Sequence, residues 1–105
     1  MIYQLGFVSV VHGKMSEYTA YVAKNLVPIY QRLGIKFIGS WRTSFGGNTD
    51  ECVILFAWEN MAQMEKLMAA RDADKEWQKV LPGYQALTTG NTGRILVPNP
   101  YSTIK

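Results

Sequence analysis

Few side chains in this sequence combine in a pattern that is typical of catalysis. His12 is the only histidine, so a serine triad would depend on it, but no G-x-S-x-G segment accompanies it. It stands beside Gly13 in a predicted turn, where we expect an exposed, idle imidazole rather than a general base or metal ligand. Cys52 lies in an apolar stretch without a neighbouring His or Lys to activate it. We therefore predict a buried, unreactive thiol.

The acidic residues do not form a recognisable site either. Asp50 and Glu51 are adjacent, and adjacent side chains of a strand point to opposite faces, so they do not make a carboxylate dyad. Asp72, Asp74 and Glu76 are interpreted as charges at helix starts. We therefore predict no metal site and no cofactor. Haem or flavin binding is kept as a separate option, which a visible absorption band of the purified protein would reveal.

Aromatic residues and two arginines offer a binding site instead of a reactive one. The aromatic side chains of two central strands are Phe37, Trp41, Phe56 and Trp58. They either pack against helices and a dimer partner or, in part, form the wall of a pocket. Arg42 and Arg94 are cations on predicted strands. A surface position is the default for both, and the alternative is that one of them holds an oxygen anion of a ligand at the cavity mouth.

Composition limits the class of protein. The chain of 105 residues is read as one domain over residues 1–105. Its 48% hydrophobic and 18% charged residues exclude a disordered segment, and the low charge suggests an apolar face covered by a partner. The net charge of +3 comes from scattered basic residues, so nucleic-acid binding is not expected. One cysteine and no apolar run of about 20 residues indicate a cytoplasmic protein that does not enter a membrane.

The first half of the chain predicts a strand followed by a long helix. Residues 2–11 are rich in aromatic and β-branched types, as in a strand covered on both sides. An apolar stripe then runs from Tyr18 to Leu33 at helical spacing and ends at Gly34. Pro28 lies inside this stripe, so we expect a kink there without a break.

The second half predicts two strands, a helical region and a last strand. The predicted segments are strands over 36–45 and 51–58, a helix begun by the Asn60 and Gln63 capping box, a short helix capped by Asp74 and ended by Pro82 and Gly83, and extended structure over 85–97. Gly90 and Gly93 are predicted to mark a bulge or a close backbone approach.

The order β-α-β-β-α-β predicts an α+β, ferredoxin-like fold with a four-stranded antiparallel sheet and both helices on one face. The strands are apolar on both faces, since Val53 and Leu55 alternate with Ile54 and Phe56. The uncovered face therefore needs a second sheet, which a chain of one domain obtains from another copy of itself. We thus predict a homodimer whose paired sheets form a barrel, with a small ligand in its interior.

Short motifs along nearly the whole chain resemble a known family. They are Met1-Ile2-Tyr3, Gly13-Lys14, Gly34-Ile35-Lys36, Gly39-Ser40-Trp41, Gly46, Asp74 to Trp77 with Gln78, and Arg94-Ile95-Leu96-Val97-Pro98. In order and spacing they resemble a NIPSNAP domain of the dimeric α/β-barrel superfamily. The resemblance implies a ferredoxin-like dimer. It implies little about chemistry, because members range from animal mitochondrial proteins thought to act through protein contacts to bacterial stand-alone domains of unsettled activity.

Departures from the family pattern bear on the ligand. The family commonly has an Arg where this chain has Gly6, and a His and a Trp where it has Ile54 and Phe56. The usual Arg pair of the second helix aligns with Leu67 and Met68. Several polar groups for a charged ligand are therefore missing. The resemblance then implies that a ligand, if bound, is hydrophobic or aromatic.

These observations lead to one main prediction and one alternative. The main prediction is a homodimer that binds a small apolar or aromatic molecule, with cofactor-independent catalysis by positioning and desolvation as an option. The predicted ligand-binding residues are Gln4, Gly6, Trp41, Arg42, Ile54, Phe56, Trp58 and Arg94. The alternative is a non-catalytic protein-interaction module. Its marker would be an exposed apolar patch on the helical side or in residues 98–105, where only Tyr101 and Ile104 are available.

Overall fold

The chain folds in the predicted order β-α-β-β-α-β. The computed structural model describes all of residues 1–105. Its elements are β1 (Ile2–Val10), α1 (Met15–Tyr21), a π-helical turn (Val22–Leu26), α2 (Val27–Leu33), β2 (Lys36–Arg42), β3 (Glu51–Trp58), α3 (Met61–Ala73), α4 (Lys75–Ala86) and β4 (Thr88–Leu96). The fold class is α+β, with one open antiparallel sheet.

The four strands lie in the order β2-β3-β1-β4 and all pairs are antiparallel. Gly6 in β1 is opposite Ile54 of β3 on one side and opposite Gly93 of β4 on the other. Leu5 is opposite Leu55 in the same register. Because side chains alternate along a strand, Gly6 and Ile54 share one face of the sheet, and Leu5 and Leu55 share the other.

One face of the sheet, called the covered face below, is closed by the helices. The buried core lies there and consists of Val8, Val10, Tyr18, Val22, Leu26, Ile29, Tyr30, Ile35, Cys52, Ile54, Trp58 and Trp77. Strand residues of even number in β1 and β3 supply the sheet side of this core. Cys52 is 1% exposed, so the predicted buried thiol is confirmed.

The other face, called the outer face, has no helix on it. Five apolar side chains of this face in β1 and β3 are partly exposed, namely Tyr3, Leu5, Phe7, Val53 and Leu55, whereas Ala57 at its end is 3% exposed. Trp41 of β2, opposite Val53, is 55% exposed. None of these side chains belongs to the core or packs against it. Residues 97–104 cross one end of the outer face, beside Tyr3 and Leu55.

The helix continues through Pro28, as predicted, and its adjustment is the π-helical turn that precedes α2. Proline has no backbone N–H to donate and its ring crowds the carbonyl four residues earlier, here Lys24. The wider π-helical turn contains Lys24 and gives that carbonyl room. The helix ends at Gly34 with a φ of 77°, in the left-handed region that favours glycine.

Three predicted boundaries are wrong. The helix predicted to stop at Pro82 and Gly83 continues to Ala86. Proline removes one helical hydrogen bond, but the Tyr21 hydroxyl from α1 donates to the Val80 carbonyl at 2.6 Å and ties this turn to its neighbour. Gly83 is needed there because a Cβ at this position would overlap the Tyr21 hydroxyl. The strand predicted over 36–45 ends at Arg42, and the last strand starts at 88 rather than 85.

The smaller predictions on caps and on the bulge are confirmed. Asn60 Oδ1 accepts from the Gln63 N–H at 2.8 Å, and Asp74 Oδ2 accepts from the Trp77 N–H at 3.0 Å. The β1–β4 register shifts between Ser9 and Val10, which places a bulge next to Gly90. No helix combines the length and the apolar character that crossing a bilayer requires.

Candidate functional site

A cavity of about 720 Å³ lies between the covered face and the helices. It is lined by Gln4, Gly6, Val8, Tyr30, Ile54, Phe56, Met68, Arg71, Trp77, Leu81, Tyr84, Gln85 and residues 88–93. Most of the lining residues in β4 are exposed, so the cavity opens along that edge of the sheet.

Two glycines create the floor of the cavity. Gly6 and Gly93 are directly opposite each other on β1 and β4, and neither has a side chain to fill the space under the helices. A Cβ at Gly6 would meet nothing closer than the Ile54 carbonyl oxygen at 3.9 Å. The position would therefore tolerate a side chain sterically, and the open floor results from the residue type rather than from a crowded backbone.

The helix layer supplies an aromatic wall. Trp77, Leu81 and Tyr84 follow one another at spacings of four and three on α4, so they form one stripe that faces the cavity. Tyr30 of α2 packs edge-on against Phe56 with ring centres 5.2 Å apart, and its ring centre is 6.0 Å from that of Trp77. Edge-to-face packing is a favourable arrangement for rings at these distances.

Arg71, near the end of α3, is the only charged residue of the lining. Its guanidinium carbon lies 4.6 Å from the centre of the Trp77 ring, and its side chain is 22% exposed. Nε and Nη2 both donate to Asp72 Oδ1, at 3.2 and 3.0 Å. Stacking on an aromatic face and pairing with a carboxylate together hold the guanidinium in place.

The remaining polar groups of the lining are neutral. Burial raises the pKa of Tyr30 and of Tyr84, and the Arg71 cation offsets part of each rise. Both hydroxyls therefore stay protonated at neutral pH. Gln4 Oε1 accepts from the Trp58 Nε1–H at 3.2 Å. With no His, Cys, Lys, Asp or Glu in its lining, the cavity offers hydrogen-bond donors and no strong base.

Four of the eight predicted ligand-binding residues line the cavity. Gln4, Gly6, Ile54 and Phe56 all project from the covered face. Trp58 shares that face but is 2% exposed and buried in the core, where it supports Gln4 instead of lining the cavity. The alternation along β1 and β3 thus grouped these five residues correctly.

The other three predicted residues lie elsewhere. Trp41 is on the outer face because the register of β2 shifts between Phe37 and Gly39, after which it pairs with Val53. Arg94 is also on the outer face, opposite Leu5, with its guanidinium carbon 5.8 Å from the Phe7 ring centre. Arg42 is opposite Cys52 and lines a second groove of about 340 Å³ beside α1. These three residues do not meet the cavity.

The predicted location of the ligand site is also corrected. We expected the wall of Gln4, Gly6, Ile54 and Phe56 to face a partner's sheet, but it faces the helices of its own chain. Both faces of the strands are apolar, so residue type alone did not distinguish the covered face from the outer one. The cavity is therefore formed within a single chain.

The helix side of the cavity was not among the predicted site residues. Tyr84 falls outside the predicted helix, so its alignment with Trp77 and Leu81 was not visible. The apolar residues Met61, Met64, Leu67 and Met68 repeat at helical spacing in α3, and Arg71 lies three positions after Met68, at the next step of that stripe. A cation at that step of an apolar stripe was a signal that could have identified it.

The single histidine lies away from the cavity. The His12 side chain is 90% exposed and its Nδ1 is 2.9 Å from Asp50 Oδ2 in the hairpin loop. Cys52 Sγ is 3.1 Å from Ser40 Oγ in the second groove. No three His, Cys, Asp or Glu side chains converge anywhere in the chain.

Comparison with solved structures shows close likeness in fold. A NIPSNAP family protein from Agrobacterium tumefaciens is 21% identical, with 99% of this chain and 98% of that chain covered and a TM-score of 0.93. A NIPSNAP domain protein from Burkholderia xenovorans is 18% identical, with coverage of 97% and 98% and a TM-score of 0.91. An antibiotic biosynthesis monooxygenase is 11% identical, with coverage of 95% and 100% and a TM-score of 0.66.

Family comparison gives a more specific result than fold comparison. Among curated proteins none matches the chain significantly. The family model for NIPSNAP matches residues 3–103. This match covers nearly every residue of the sheet, the helices and the cavity, and it agrees with the NIPSNAP structures of the same fold. The chain therefore belongs to the NIPSNAP family.

Proposed function

We propose that this NIPSNAP domain binds a small apolar or aromatic molecule in the cavity between its sheet and its helices. The observation that carries the proposal is the pair of facing glycines, Gly6 and Gly93, under a wall of aromatic rings. Side chains normally fill such a space in a protein interior, because interiors are close-packed. An open floor beneath Tyr30, Trp77 and Tyr84 is thus a feature that a ligand would explain.

The dimensions and lining of the cavity fit this class of ligand. Its volume of about 720 Å³ falls within the range of ~300–1,000 Å³ that is typical of small-molecule sites. Flat aromatic molecules would pack against the rings of Trp77 and Phe56. The amide group of Gln4 and the two tyrosine hydroxyls supply the few polar contacts that orient a ligand in such a site.

Any reaction in this cavity would depend on positioning and desolvation rather than on a general base. The lining holds no imidazole, carboxylate, thiol or amine to remove a proton. Its donors would instead stabilise negative charge that develops on a ligand oxygen. One protein of this fold is named an antibiotic biosynthesis monooxygenase, which supports small-molecule chemistry for this domain by analogy of fold alone.

A graded series at Gly6 tests the ligand proposal. Gly6→Ala adds one methyl group in ordinary contact distance and should leave binding nearly unchanged, whereas Gly6→Leu should fill the floor of the cavity. The probe is 2-naphthamide, a neutral bicyclic aromatic, and binding is measured by isothermal titration calorimetry. We expect at least about a tenfold loss of affinity in Gly6→Leu, since a blocked contact surface costs more than ~1.4 kcal/mol.

The thermal midpoint of each Gly6 variant controls for folding. Equal affinity in the wild type and in a folded Gly6→Leu variant would place the binding elsewhere and overturn the proposal. Native mass spectrometry of the purified wild type adds an independent readout, because a co-purified small molecule should be absent from the Gly6→Leu variant.

We further propose that a second copy of the chain covers the outer face. Leu5, Phe7, Val53 and Leu55 form a contiguous apolar area that neither the helices nor the core reaches. Apolar areas of this kind on a small domain mark association surfaces. A sheet face can meet its own copy through a two-fold axis, because each side chain then finds the same surface opposite it.

Sedimentation velocity of a substituted outer face tests the dimer. The wild type is expected to sediment as a species of twice 11.9 kDa. Leu5→Asp places a carboxylate in the proposed interface and should yield single chains, while Ala62→Asp adds the same charge in the first turn of α3, where an acidic group is favourable, and should not. A wild type that stays a single chain at micromolar concentration would contradict the dimer.

Two finer expectations belong to the same proposal. A cytoplasmic location is supported by the single unpaired thiol of Cys52.

A non-catalytic interaction module is the second candidate function, and the observation that favours it is the exposure of Tyr101 and Ile104, at 85% and 69%. Loss of a cellular protein contact in a variant with both residues changed to Ser, with unchanged 2-naphthamide binding, would support that role.

A further inference from the structure

We infer that the cavity selects aromatic or apolar molecules that carry one carboxylate, and that Arg71 is the group that recognises it. The inference rests on the proposed function and narrows it to a ligand class. It adds a carboxylate to the hydrophobic or aromatic ligand expected from positions 6, 54, 56, 67 and 68, which did not include Arg71.

The charge of the cavity lining favours an anion. Arg71 is its only charged residue, and the lining contains no carboxylate that would repel an acid. Asp72, which pairs with Arg71, lies outside the lining and its side chain is 64% exposed. Solvent weakens the interaction of such an exposed carboxylate with its partner. A net positive field therefore acts on the interior of the cavity.

The geometry of the guanidinium leaves donors for a ligand. Asp72 Oδ1 accepts from Nε and Nη2, while Nη1 has no hydrogen-bond partner in the chain. Because the guanidinium stacks at 4.6 Å on Trp77, its plane is already oriented before a ligand arrives. A carboxylate that contacts Nη1 would place its apolar body against the aromatic wall.

Two neutral donors stand close to the same cation. Tyr30 and Tyr84 line the cavity together with Arg71. The Arg71 charge is near enough to both to lower their pKa values against the larger effect of burial, which raises them. The lining thus combines one cation and two protonated phenols and contains no carboxylate. An oxygen-rich anionic group would accept hydrogen bonds from donors of this kind.

Matched acid and amide probes test the inference. The probes are 2-naphthoate and 2-naphthamide, which share shape and differ in charge, and binding to the wild type is measured by calorimetry at neutral pH. We expect the acid to bind about tenfold or more tightly than the amide, as is usual for a charge-assisted hydrogen bond. Arg71→Gln should abolish this preference and bring the affinities for the acid and the amide within about twofold of each other.

Three further variants separate recognition from general electrostatics and from folding. Arg71→Lys keeps the charge and should retain part of the preference, so a folded rescue variant is available if Arg71→Gln is unstable. Asp72→Asn removes the competing carboxylate and should tighten binding of 2-naphthoate alone. Lys79→Gln removes one positive charge from an exposed position of α4 outside the lining and should change neither affinity.

The possible results have distinct meanings. Equal binding of acid and amide to the wild type, or an acid preference that survives in Arg71→Gln, would overturn the role of Arg71 while the proposed cavity stands. Binding of neither probe, or binding of both that is insensitive to Gly6→Leu, would overturn the proposed ligand site itself. An acid preference that Lys79→Gln removes as fully as Arg71→Gln would reduce it to net charge and contradict the inference.

Discussion

The covered face and the outer face of the sheet are built from alternating residues of the same strands, yet they differ in burial. On β3, Cys52 and Ile54 are buried under helices, whereas Val53 and Leu55, one position away, remain partly exposed. Both sets are apolar, so hydrophobicity alone does not decide which face the helices cover. A strand that is apolar on both sides has to be packed against another layer on each face, and this chain provides such a layer on only one of them.

The covered face itself is packed unevenly. Near β2 and β3 the covered face is packed by Tyr30 and Phe37, whose ring centres lie 6.2 Å apart. Near β1 and β4 it is open, because Gly6 and Gly93 leave the floor bare. The apolar outer face is where we propose a second copy of the chain, and the cavity of the covered face, which opens along β4, is where we propose a small molecule. Four experiments test this difference between the two faces and the contacts that maintain it.

The largest effect is expected from placing one charge on each face of β3 at neighbouring positions. Cys52→Lys puts an ammonium group into a site that is 1% exposed and opposite Arg42 on the neighbouring strand, so the new charge is buried next to a like charge. We expect this variant not to fold. Val53→Lys should keep the far-UV circular dichroism of the wild type and lose only the dimer, as measured by sedimentation.

A folded Cys52→Lys variant would show that the covered face is not a closed core. A Val53→Lys variant that unfolds would show that the outer face contributes to the fold of the single chain. Cys52→Ser serves as a control for the loss of the thiol, since it changes neither charge nor size appreciably.

The second experiment compares two tryptophans on the two faces. Trp58 is buried, stacks on Phe56 with ring centres 6.1 Å apart and donates to Gln4 at 3.2 Å. Replacing it with Ala should cost about 3–5 kcal/mol of unfolding free energy, as is usual for a buried large aromatic side chain. Trp41→Ala removes a half-exposed ring and should weaken association more than folding. Urea unfolding at several protein concentrations separates the two, since only a loss of association depends on concentration.

The sequence predicted the sheet more accurately than the site. The element order and the caps Asn60 and Asp74 follow from local patterns, which depend on residues close in the chain. The end of α4 does not follow from local patterns, because the turn that contains Pro82 is held by a hydrogen bond from Tyr21, which is far away in sequence. Local break signals are outweighed when a tertiary contact secures the same turn.

The candidate site was predicted only on its sheet side. Alternation brings Gln4, Gly6, Ile54 and Phe56 together from the sequence alone. The helix side depends on how α3 and α4 cross the sheet, which no spacing specifies. Arg71 therefore went unrecognised as a site residue, although it decides the charge of the cavity.

The third experiment tests the N-terminal cap of α3, one of the helices that close the covered face. Asn60→Ala removes the acceptor of the Gln63 N–H at the start of α3 and should cost about 1 kcal/mol of unfolding free energy. Asn60→Asp keeps an acceptor at the same place and should retain the stability of the wild type. Equal losses in the two variants would mean that Asn60 acts through something other than its cap. The measurement is the urea midpoint at constant m value.

The smallest effect is expected from the ion pair that joins α2 to α4. Arg32 Nη2 donates to Asp74 Oδ2 at 2.8 Å, and this hydrogen bond, with that of the Trp77 N–H, holds the pKa of Asp74 below its ordinary value of 3.8. A lowered pKa in the folded state stabilises the protein above about pH 4, and the contribution is lost as the pH falls through the lowered value.

Asp74→Asn isolates this charge, because the amide oxygen still caps α4 while the ion pair is lost. The stability difference between the wild type and this variant should be present at pH 7 and should shrink below about pH 4, as measured by urea midpoints across this range. Arg32→Gln should also lose its effect in acid, and its loss at pH 7 should be at least as large, because Arg32 Nη2 also donates to Glu76 Oε2 at 3.0 Å. Equal stability of the wild type and Asp74→Asn at pH 7 would mean that Asp74 acts as a cap alone, and that the helix layer is held over the covered face by its apolar contacts rather than by charge.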